Sequence, residues 1–360
     1  MLPYAAGMIR VREGAVDEVR AEWPGARELL VTMGDQQVRA LAYTDVVGTP
    51  EPGDRVVLNA TALLMGLGTG GYAMVVALPD RLPADPPAGP GHLVKARYTP
   101  LQTTVLGVDE QDSPDHDALR DADELAGMPV VVADLHSALP AIIAGARAQR
   151  TDLRVVYLMT DGGSLPIAFS RTVSALRGAG WLHATITVGQ AYGGDYEAVS
   201  VHSGLLAAHH VIGADLVIIA QGPGNLGTGT RWGFSGVVAG DALNATATLA
   251  GRPIGSLRVS QADRRDRHFG VSHHSLTAYG RVALVPAEIV VPLLDGEFGE
   301  RVREQAAGLA GQHTLVERPC DGLLDALRDS PVRLSTMGRS LDEDAASFLA
   351  AAVAGRFAAE

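Results

Sequence analysis

Aspartate and histidine residues follow two apolar runs in the middle of the chain. Val130–Ala133 precedes Asp134 and His136, and Asp161 comes two residues after Val155–Met159. Carboxylates and imidazoles in such places can act as general acids and bases or as ligands of a divalent metal. Capping of the following helices by the aspartates is the structural alternative. We therefore predict acid–base groups here, with a divalent metal as one candidate cofactor.

A glycine-rich loop, Gly222–Thr230, follows the apolar run Leu216–Ala220. Its glycines would let the backbone approach a ligand and point N–H groups at an anion, and a helix beginning just beyond would add partial positive charge. They also spell the dinucleotide pattern G-x-G-x-x-G, but Pro223 removes one N–H and no following strand ends in an acidic residue about twenty positions on. No lysine completes a P-loop. We predict contact with an anion or phosphate, and a tight turn packed on the sheet is the alternative.

A histidine pair, His273-His274, follows Ser272, which we predict to be a helix N-cap. A helix dipole disfavours protonation in the first turn, and a neutral imidazole suits a metal ligand or an electrophilic hydrogen-bond donor. Adjacent histidines point in different directions, so we expect at most one to enter a site; two surface histidines are the alternative. In the preceding charged loop, Asp263–His268, we expect either internal ion pairs or an arginine, Arg267, that contacts a substrate anion.

The candidate site residues all come from these loops and from the loops that end the neighbouring predicted strands. The catalytic candidates are Asp134, His136, Asp161, His273 and His274. The ligand-binding candidates are Ser137, Gly162, Gly163, Gly193, Gly194, Asp195, Gly222, Gly224, Asn225, Gly227, Thr228 and Arg267. No spacing matches a known metal signature, so the metal ligands stay unassigned.

The elements that must position these residues alternate between apolar strands and amphipathic helices from Met128 onward. Four strands in succession end in polar or glycine-rich loops, which predicts a doubly wound, mostly parallel α/β sheet with its ligand site at the carboxyl ends of the strands. Later strands are expected at Ile254–Val259, Val282–Val285, Ile289–Val291, His313–Val316 and Val332–Thr336. A last helix is expected from Ser340, with Glu343 completing a capping box.

The first part of the chain has short β-rich runs separated by turn signals, beginning with Met8–Arg12. This pattern predicts a small β-rich domain, a barrel or a sandwich, over residues 1–100. Residues 101–127 are expected to connect it to the α/β domain at 128–360. Prolines between 79 and 90 and a weakly ordered acidic stretch at 109–124 make this boundary broad.

Composition narrows the class of protein. The 360 residues are 47% hydrophobic, which is too apolar for disorder, and their net charge of −12 argues against nucleic-acid or anionic-membrane binding. Cys320 is the only cysteine, which excludes an intrachain disulfide and a multi-cysteine zinc site. The N-terminus lacks a signal-peptide pattern, and the uncharged stretch Val56–Ala77 fits two strands and a glycine turn better than a membrane span. We expect a cytoplasmic protein.

Several blocks of the sequence resemble an uncharacterised bacterial family, a domain of unknown function of about this full length. The resemblance lies in Tyr192–Val199, Gly222–Thr230, Trp232–Gly236 and Gly270–His274. It implies a stand-alone protein and carries over no activity, cofactor or catalytic residue.

The functional hypothesis is an enzyme, a hydrolase or group transferase, that acts on a small anionic or phosphorylated metabolite. Hydride transfer fits less well because the dinucleotide pattern is incomplete. The alternative is a non-catalytic metabolite or nucleotide sensor, or an assembly subunit, using the same loops. The expected partner is the small anionic ligand, without nucleic acid or membrane, and a homodimer is one candidate assembly.

Overall fold

The computed structural model describes residues 9–360 and divides the chain into two compact units. The first comprises the chain up to residue 89 together with residues 96–103, and the second comprises residues 90–95 and 104–360. The predicted strand Met8–Arg12 begins outside the described residues. No helix within residues 9–360 is long and apolar enough to cross a membrane.

The first unit is a closed five-stranded barrel with the strand order β1-β2-β3-β5-β4. This confirms the β-rich domain and selects a barrel of the kind found in OB-folds. Only the β3–β5 pairing is parallel. Its elements are β1 (Val11–Trp23), β2 (Ala26–Met33), β3 (Gln36–Tyr43), α1 (Thr44–Val47), β4 (Arg55–Asn59), α2 (Thr61–Leu64) and β5 (Ala73–Ala77).

The long strand β1 closes the barrel because it pairs with both β4 and β2. Two register shifts bend it, one between Val16 and Glu18 and one between Val19 and Ala21. Gly14 is required at this curve, since a Cβ there would lie 2.6 Å from Val31 Cγ1. Alternate residues of the strands fill the apolar interior, and most charged residues of β1 are exposed, whereas Glu28 of β2 is buried and accepts hydrogen bonds from Arg39 and Tyr72.

The second unit is the predicted doubly wound α/β domain. Its strands are β6 (Leu93–Lys95), β7 (Thr103–Val105), β8 (Pro129–Val132), β9 (Val155–Thr160), β10 (Ala184–Thr187), β11 (Tyr196–Glu197), β12 (Leu216–Gln221), β13 (Arg252–Ser256), β14 (Val259–Ser260), β15 (Gly270–Val271), β16 (Glu288–Leu293), β17 (Thr314–Pro319), β18 (Ser335–Thr336) and β19 (Arg339–Ser340). Its helices are α3 (His116–Leu119), α4 (Leu139–Gln149), α5 (Arg171–Gly178), α6 (Val201–Ala207), α7 (Val238–Thr248), α8 (His273–Thr277), α9 (Gly296–Ala307), α10 (Leu323–Arg328) and α11 (Ala345–Ala358).

The main sheet of this unit is parallel throughout, with the order β11-β10-β9-β12-β8-β13-β16-β17. Its central strands are buried on both faces, which explains their nearly continuous apolar sequences. Val130 and Val132 of β8 pack into one core cluster, and Val131 between them packs into the other. Two apolar layers therefore cover the sheet, one on each face.

Strand order decides which loops meet. Although β9 is the next strand of the main sheet after β8 along the chain, β12 lies between the two in space. Strand β13 lies on the other side of β8. After β8 the chain adds strands toward the β11 edge of the sheet, and from β12 onward it adds strands toward the β17 edge. Such a switch point leaves a crevice at the carboxyl ends of the strands.

Some boundaries differ from the sequence prediction. The last helix begins at Ala345 and not at Ser340: Glu343 does accept hydrogen bonds from Ser340, but the fully buried Asp344 is held outside the helix by Ser260 and Arg339. No strand forms at Val282–Val285, where Val282 ends a helical turn that follows α8. The acidic stretch 109–124 is packed, because Val108, Leu119 and Leu125 on and around it belong to the core.

Candidate functional site

A polar cleft of about 150 Å³ lies beside the carboxyl ends of β12 and β13. The loop after β12 forms one part of its lining, and the chain from residue 258 to residue 274 forms another. The turn between β18 and β19 adds Met337. The cleft is lined by Asn225, Leu226, Gly227, Gly229, Arg258, Arg265, Arg267, His268, His273, His274 and Met337.

The glycine-rich loop is held as a folded-back turn. Ser235 Oγ donates to Asn225 Oδ1 over 2.8 Å and accepts from Leu226 N over 3.0 Å, and Thr228 N donates to the Gly233 carbonyl over 2.7 Å. Gly224 and Gly229 have φ of +98° and +81°, which favour glycine. The next long helix, α7, begins only at Val238, so it does not start directly behind the loop as predicted.

Three arginines line the cleft in different electrostatic situations. Arg265 makes a bidentate ion pair with Asp263 at 2.9 and 2.7 Å. Arg258 is buried, with Nη1 3.5 Å from Asp134 Oδ2. Arg267 makes no ion pair within the described part of the chain, and its guanidinium lies 3.8 Å from the place that a Cβ on Gly229 would occupy. Arg267 is therefore the cationic group that is free to meet an anion at the glycine loop.

Three histidines converge on the same cleft. His268 ends a single helical turn, and the N-cap Ser272 opens α8 so that His273 and His274 occupy its first turn. Each of the three rings offers a nitrogen, and these nitrogens lie within 4.8 Å of one another. Phe234 stacks on His274 with 3.8 Å between ring centroids, which fixes that ring's plane.

Two of these histidines are neutral at pH 7. Burial, together with the adjacent Arg258 and Arg265, lowers the pKa of His268 to about 3. Burial, His274 and Arg267 lower the pKa of His273 to about 4. Their imidazole lone pairs are therefore available to accept a proton or bind a metal.

Asp134 joins this cluster from the end of β8. Its side chain is 4% exposed, and Oδ2 lies 3.5 Å from His274 Nδ1. Gly236 permits the close packing, since a Cβ there would lie 3.0 Å from Asp134 Cβ. Burial acts to raise the pKa of Asp134, but His274 and Arg258 outweigh it and lower the pKa. The carboxylate is thus a buried charge that faces an arginine and an imidazole.

His136, two residues later, does not join the cluster. Its Nδ1 lies 3.0 Å from Tyr157 Oη, and its Nε2 lies 2.7 Å from Ser170 Oγ. Ser170 is itself the N-cap of α5 and accepts from Val173 N. Burial lowers the pKa of His136 to about 4. The ring connects β9 to the start of α5, while the next residue, Ser137, contacts Thr336 Oγ1 at 2.9 Å.

Asp161, with Gly162 and Gly163, closes the loop after β9. Asp161 Oδ1 accepts from Gly163 N and Ser164 N, and Oδ2 accepts from Gln190 N. Both carboxylate oxygens therefore hold backbone N–H groups, which is the capping alternative given for this residue.

Asp195, Gly193 and Gly194 lie at the β11 edge of the sheet. Asp195 Oδ2 accepts from both the backbone and the hydroxyl of Thr185, and Gly194 N donates to Thr187 Oγ1. Gly193 N donates to Glu197 Oε1. Strands β10 and β9 separate this edge from β12, so the structure does not bring these residues to the cleft.

Sequence reasoning missed Arg258, Arg265 and His268 as site residues. His268 and Arg265 lie in the charged loop that was noted for Arg267, and the signal for His268 was a third imidazole only five residues before His273. Arg258 carries no comparable signal. Its side chain is 8% exposed, and this burial appears only once the strands are paired.

Comparison with known proteins gives one result. A family model described as "Protein of unknown function (DUF3866)" matches residues 39–355. No curated protein and no solved structure matches the chain.

Proposed function

The chain belongs to this family of unknown function, and from the cleft alone we propose that it is an enzyme, a hydrolase or group transferase, acting on a small anionic or phosphorylated metabolite. The observation that carries the proposal is Arg267, which makes no ion pair in the described chain and stands over Gly229 of the exposed glycine loop. A guanidinium so placed can bind phosphate or carboxylate with charge-assisted hydrogen bonds.

The distribution of charge around the cleft supports an anionic ligand. The protein as a whole has a net charge of −12, yet three arginines line this one cleft. Two carboxylates form ion pairs here: Asp134 is engaged by Arg258, and Asp263 is engaged by Arg265. Arg267 is left as the local excess positive charge, and in a cleft such a charge attracts anions more strongly than on an open surface.

The neutral histidines supply the chemistry that the proposal needs. A neutral imidazole at pH 7 can accept a proton from water or from a substrate hydroxyl. His273 is the best candidate for this role, because it is the most exposed of the three imidazoles in the cleft. His274 is held between Phe234 and Asp134, so its ring is fixed in place.

Apolar residues at the cleft suit the organic part of a metabolite. Leu226 is 70% exposed and Met337 is 53% exposed, and both line the cleft beside the arginines. Met337 also has a positive φ of 49°, which is unusual for a residue other than glycine. An anion attached to a small apolar or aromatic group would contact both kinds of side chain.

Calorimetric titration with inorganic phosphate and pyrophosphate tests the anion site. We expect saturable binding by the wild type and an affinity about 10- to 100-fold lower for Arg267→Gln, the loss typical of one charge-assisted hydrogen bond. Arg264→Gln is the matched control, because Arg264 is exposed in the same loop but does not line the cleft. Equal affinities for the two variants would refute the role given to Arg267.

An assay of product formation distinguishes the proposed enzyme from a non-catalytic sensor or assembly subunit. We expect liberation of phosphate from pyrophosphate or from a panel of phosphomonoesters, with His273→Asn losing turnover while its melting temperature stays near that of the wild type. Ligand-induced stabilisation without any product would instead favour the non-catalytic sensor or assembly subunit.

A cytoplasmic location and a homodimer remain proposals. The presence of a single cysteine, Cys320, supports a reducing compartment. Native mass spectrometry of the full chain tests the homodimer.

A further inference from the structure

We propose that His268, His273 and His274 bind one divalent transition-metal ion of the zinc class, with an open coordination position facing the cleft. The geometric basis is the convergence of one nitrogen from each ring, all within 4.8 Å of one another. The inference deepens the proposed function, because it assigns a metal to the same cleft and so rests on that cleft being the functional site. A coordinated His273 would no longer accept a proton, and the metal would then activate the attacking water in its place.

The local fold explains why three imidazoles meet. His268 ends the turn Asp266–His268, the short strand β15 follows at once, and Ser272 then starts α8. His268 Nδ1 lies 2.8 Å from Ser272 Oγ, which also accepts from His274 N. One hydroxyl group thus caps the helix and positions the first ring against the other two.

The hydrogen bonds place the lone pair of His268 on Nε2, where a metal would have to displace the long hydrogen bond from Arg267. Arg267 Nε lies 3.4 Å from this nitrogen, and because arginine only donates, Nε2 carries the lone pair. The ring proton is then on Nδ1, where it is donated to Ser272. Metal-binding histidines have this arrangement, with the far ring N–H fixed by a hydrogen-bond acceptor.

Asp134 provides the same support for His274. Asp134 Oδ2 is buried and has no hydrogen-bond partner among residues 9–360, although it lies only 3.5 Å from His274 Nδ1. Arg258 Nη1, which can only donate, lies 3.1 Å from the same Nδ1, so a metal on His274 Nε2 would require Arg258 to release Nδ1; this nitrogen would then carry the ring proton and face the carboxylate. Metal binding would then give Asp134 Oδ2, whose contacts with Arg258 and His274 are both 3.5 Å long, a closer donor and form a carboxylate–histidine–metal arrangement.

The third ring has an unsatisfied nitrogen of its own. His273 Nε2 is buried, and no group in the described chain forms a hydrogen bond with it. A buried polar atom without a partner is destabilising, and coordination would satisfy it. The unpartnered nitrogen of His273 and the convergence of the three rings thus point to the same ion.

The donor set indicates the kind of metal. Three imidazoles without a thiolate suit zinc and its neighbours in the first transition row better than magnesium or calcium, which prefer oxygen. Three protein ligands also leave the fourth tetrahedral position open, as in catalytic zinc sites. The ligand nitrogens of a tetrahedral zinc lie about 3.4 Å apart, so modest rotations of the three rings would complete the site.

The surrounding charges are compatible with a cation. Arg258 faces Asp134, and Arg265 is paired with Asp263, so two of the three arginines are already balanced. The third, Arg267, would hold an anionic substrate against the metal. The metal and Arg267 therefore act on the same bound anion from two sides.

Cobalt titration of the full-length, chelator-stripped protein tests the site directly. We expect one Co²⁺ per chain, detected by the visible absorption of imidazole-bound cobalt, and displacement of the cobalt by Zn²⁺. His273→Asn should weaken binding at least 100-fold. Asp134→Asn should weaken it about 10- to 100-fold, the usual effect of removing a group that orients a ligand. Circular dichroism confirms that each variant is folded.

The second adjacent histidine pair of the chain provides the control. The rings of His209 and His210 lie 4.6 Å apart on another helix, so His209→Asn likewise removes one imidazole of a neighbouring pair. This variant should bind cobalt as the wild type does. A wild type that takes up neither Co²⁺ nor Zn²⁺, or an affinity unchanged by His273→Asn, would overturn the metal site.

Pyrophosphate binding distinguishes the two proposals. Chelator-stripped wild type that binds pyrophosphate through Arg267 but takes up no metal would leave the anion site standing and remove the metal. If the wild type binds no anion and Arg267→Gln still binds cobalt normally, the metal site stands and the anion site is removed.

Discussion

At the scale of single residues, the most consequential group outside the cleft is a buried ion pair. Lys95 Nζ lies 3.3 Å from Glu197 Oε2, and both side chains are at most 8% exposed. Lys95 also donates to the carbonyls of Ala191 and Ala198, while Thr187 donates to Glu197. Burial lowers the pKa of Lys95 and raises the pKa of Glu197, but the pair and its hydrogen bonds offset part of that cost.

Removing one partner of this pair should be strongly destabilising. Lys95→Met leaves a buried carboxylate without its cation, and we expect the free energy of unfolding to fall by about 3–5 kcal/mol. The double variant Lys95→Met/Glu197→Gln should lose less, because no uncompensated charge remains. Urea unfolding of the three proteins measures both effects, and a double variant less stable than the single one would contradict the argument.

At the scale of elements, the packing of α4 against α11 depends on two glycines. A Cβ on Gly145 of α4 would lie 1.8 Å from the Ala352 carbonyl oxygen, and a Cβ on Gly355 of α11 would lie 1.8 Å from that of Ile142. The two helix backbones therefore touch directly. This contact covers one face of the sheet and keeps α11, the last helix, beside β8 and β13.

Adding a single methyl group at this contact should separate the helices. We expect Gly145→Ala to lower the free energy of unfolding by about 1–3 kcal/mol or more, despite alanine's better helix propensity. Gly178→Ala in α5 is the matched control, since a Cβ there meets nothing within 4 Å. It should be neutral or stabilise by at most about 1 kcal/mol. Thermal unfolding of both variants provides the comparison, and equal melting temperatures would show that the helices can move apart freely.

At the scale of the whole molecule, buried neutral histidines make stability depend on pH. The pKa of His136 is about 4 in the folded protein and returns to its ordinary value near 6.5 on unfolding. His268 and His273 behave alike, with pKa values of about 3 and about 4. Between pH 4 and the ordinary histidine pKa near 6.5, the unfolded chain therefore binds more protons than the folded one.

Stability should therefore fall as the pH is lowered from 6.5 toward 4 and should be fully present above 6.5. Each such histidine contributes a slope of about 1.4 kcal/mol per pH unit. Urea unfolding across this range measures the slope, and His136→Asn should reduce it by one histidine's share even if it also lowers stability at every pH. An unaltered slope in His136→Asn would contradict the assignment.

Local sequence patterns were sufficient to predict the two kinds of domain and the loops in which a site could lie. Unbroken apolar runs such as Val155–Met159 indicate strands covered on both faces, and this local pattern suffices for a parallel sheet whose strands end in polar loops. The small β-rich domain was likewise predictable from its turn signals, but the choice of a barrel over a sandwich and the long, mostly exposed β1 were not. Asp134 and the glycine loop could be located because each directly follows such a run.

Only the tertiary structure decided which loops meet. Asp134 and His136 are two residues apart, but Asp134 turns toward Arg258 and His274 whereas His136 turns toward Tyr157. Strand order placed β12 and β13 on either side of β8, and so brought the glycine loop and the segment containing His268 to one cleft. Strand order follows from burying two apolar faces at once, a non-local condition that no single segment encodes.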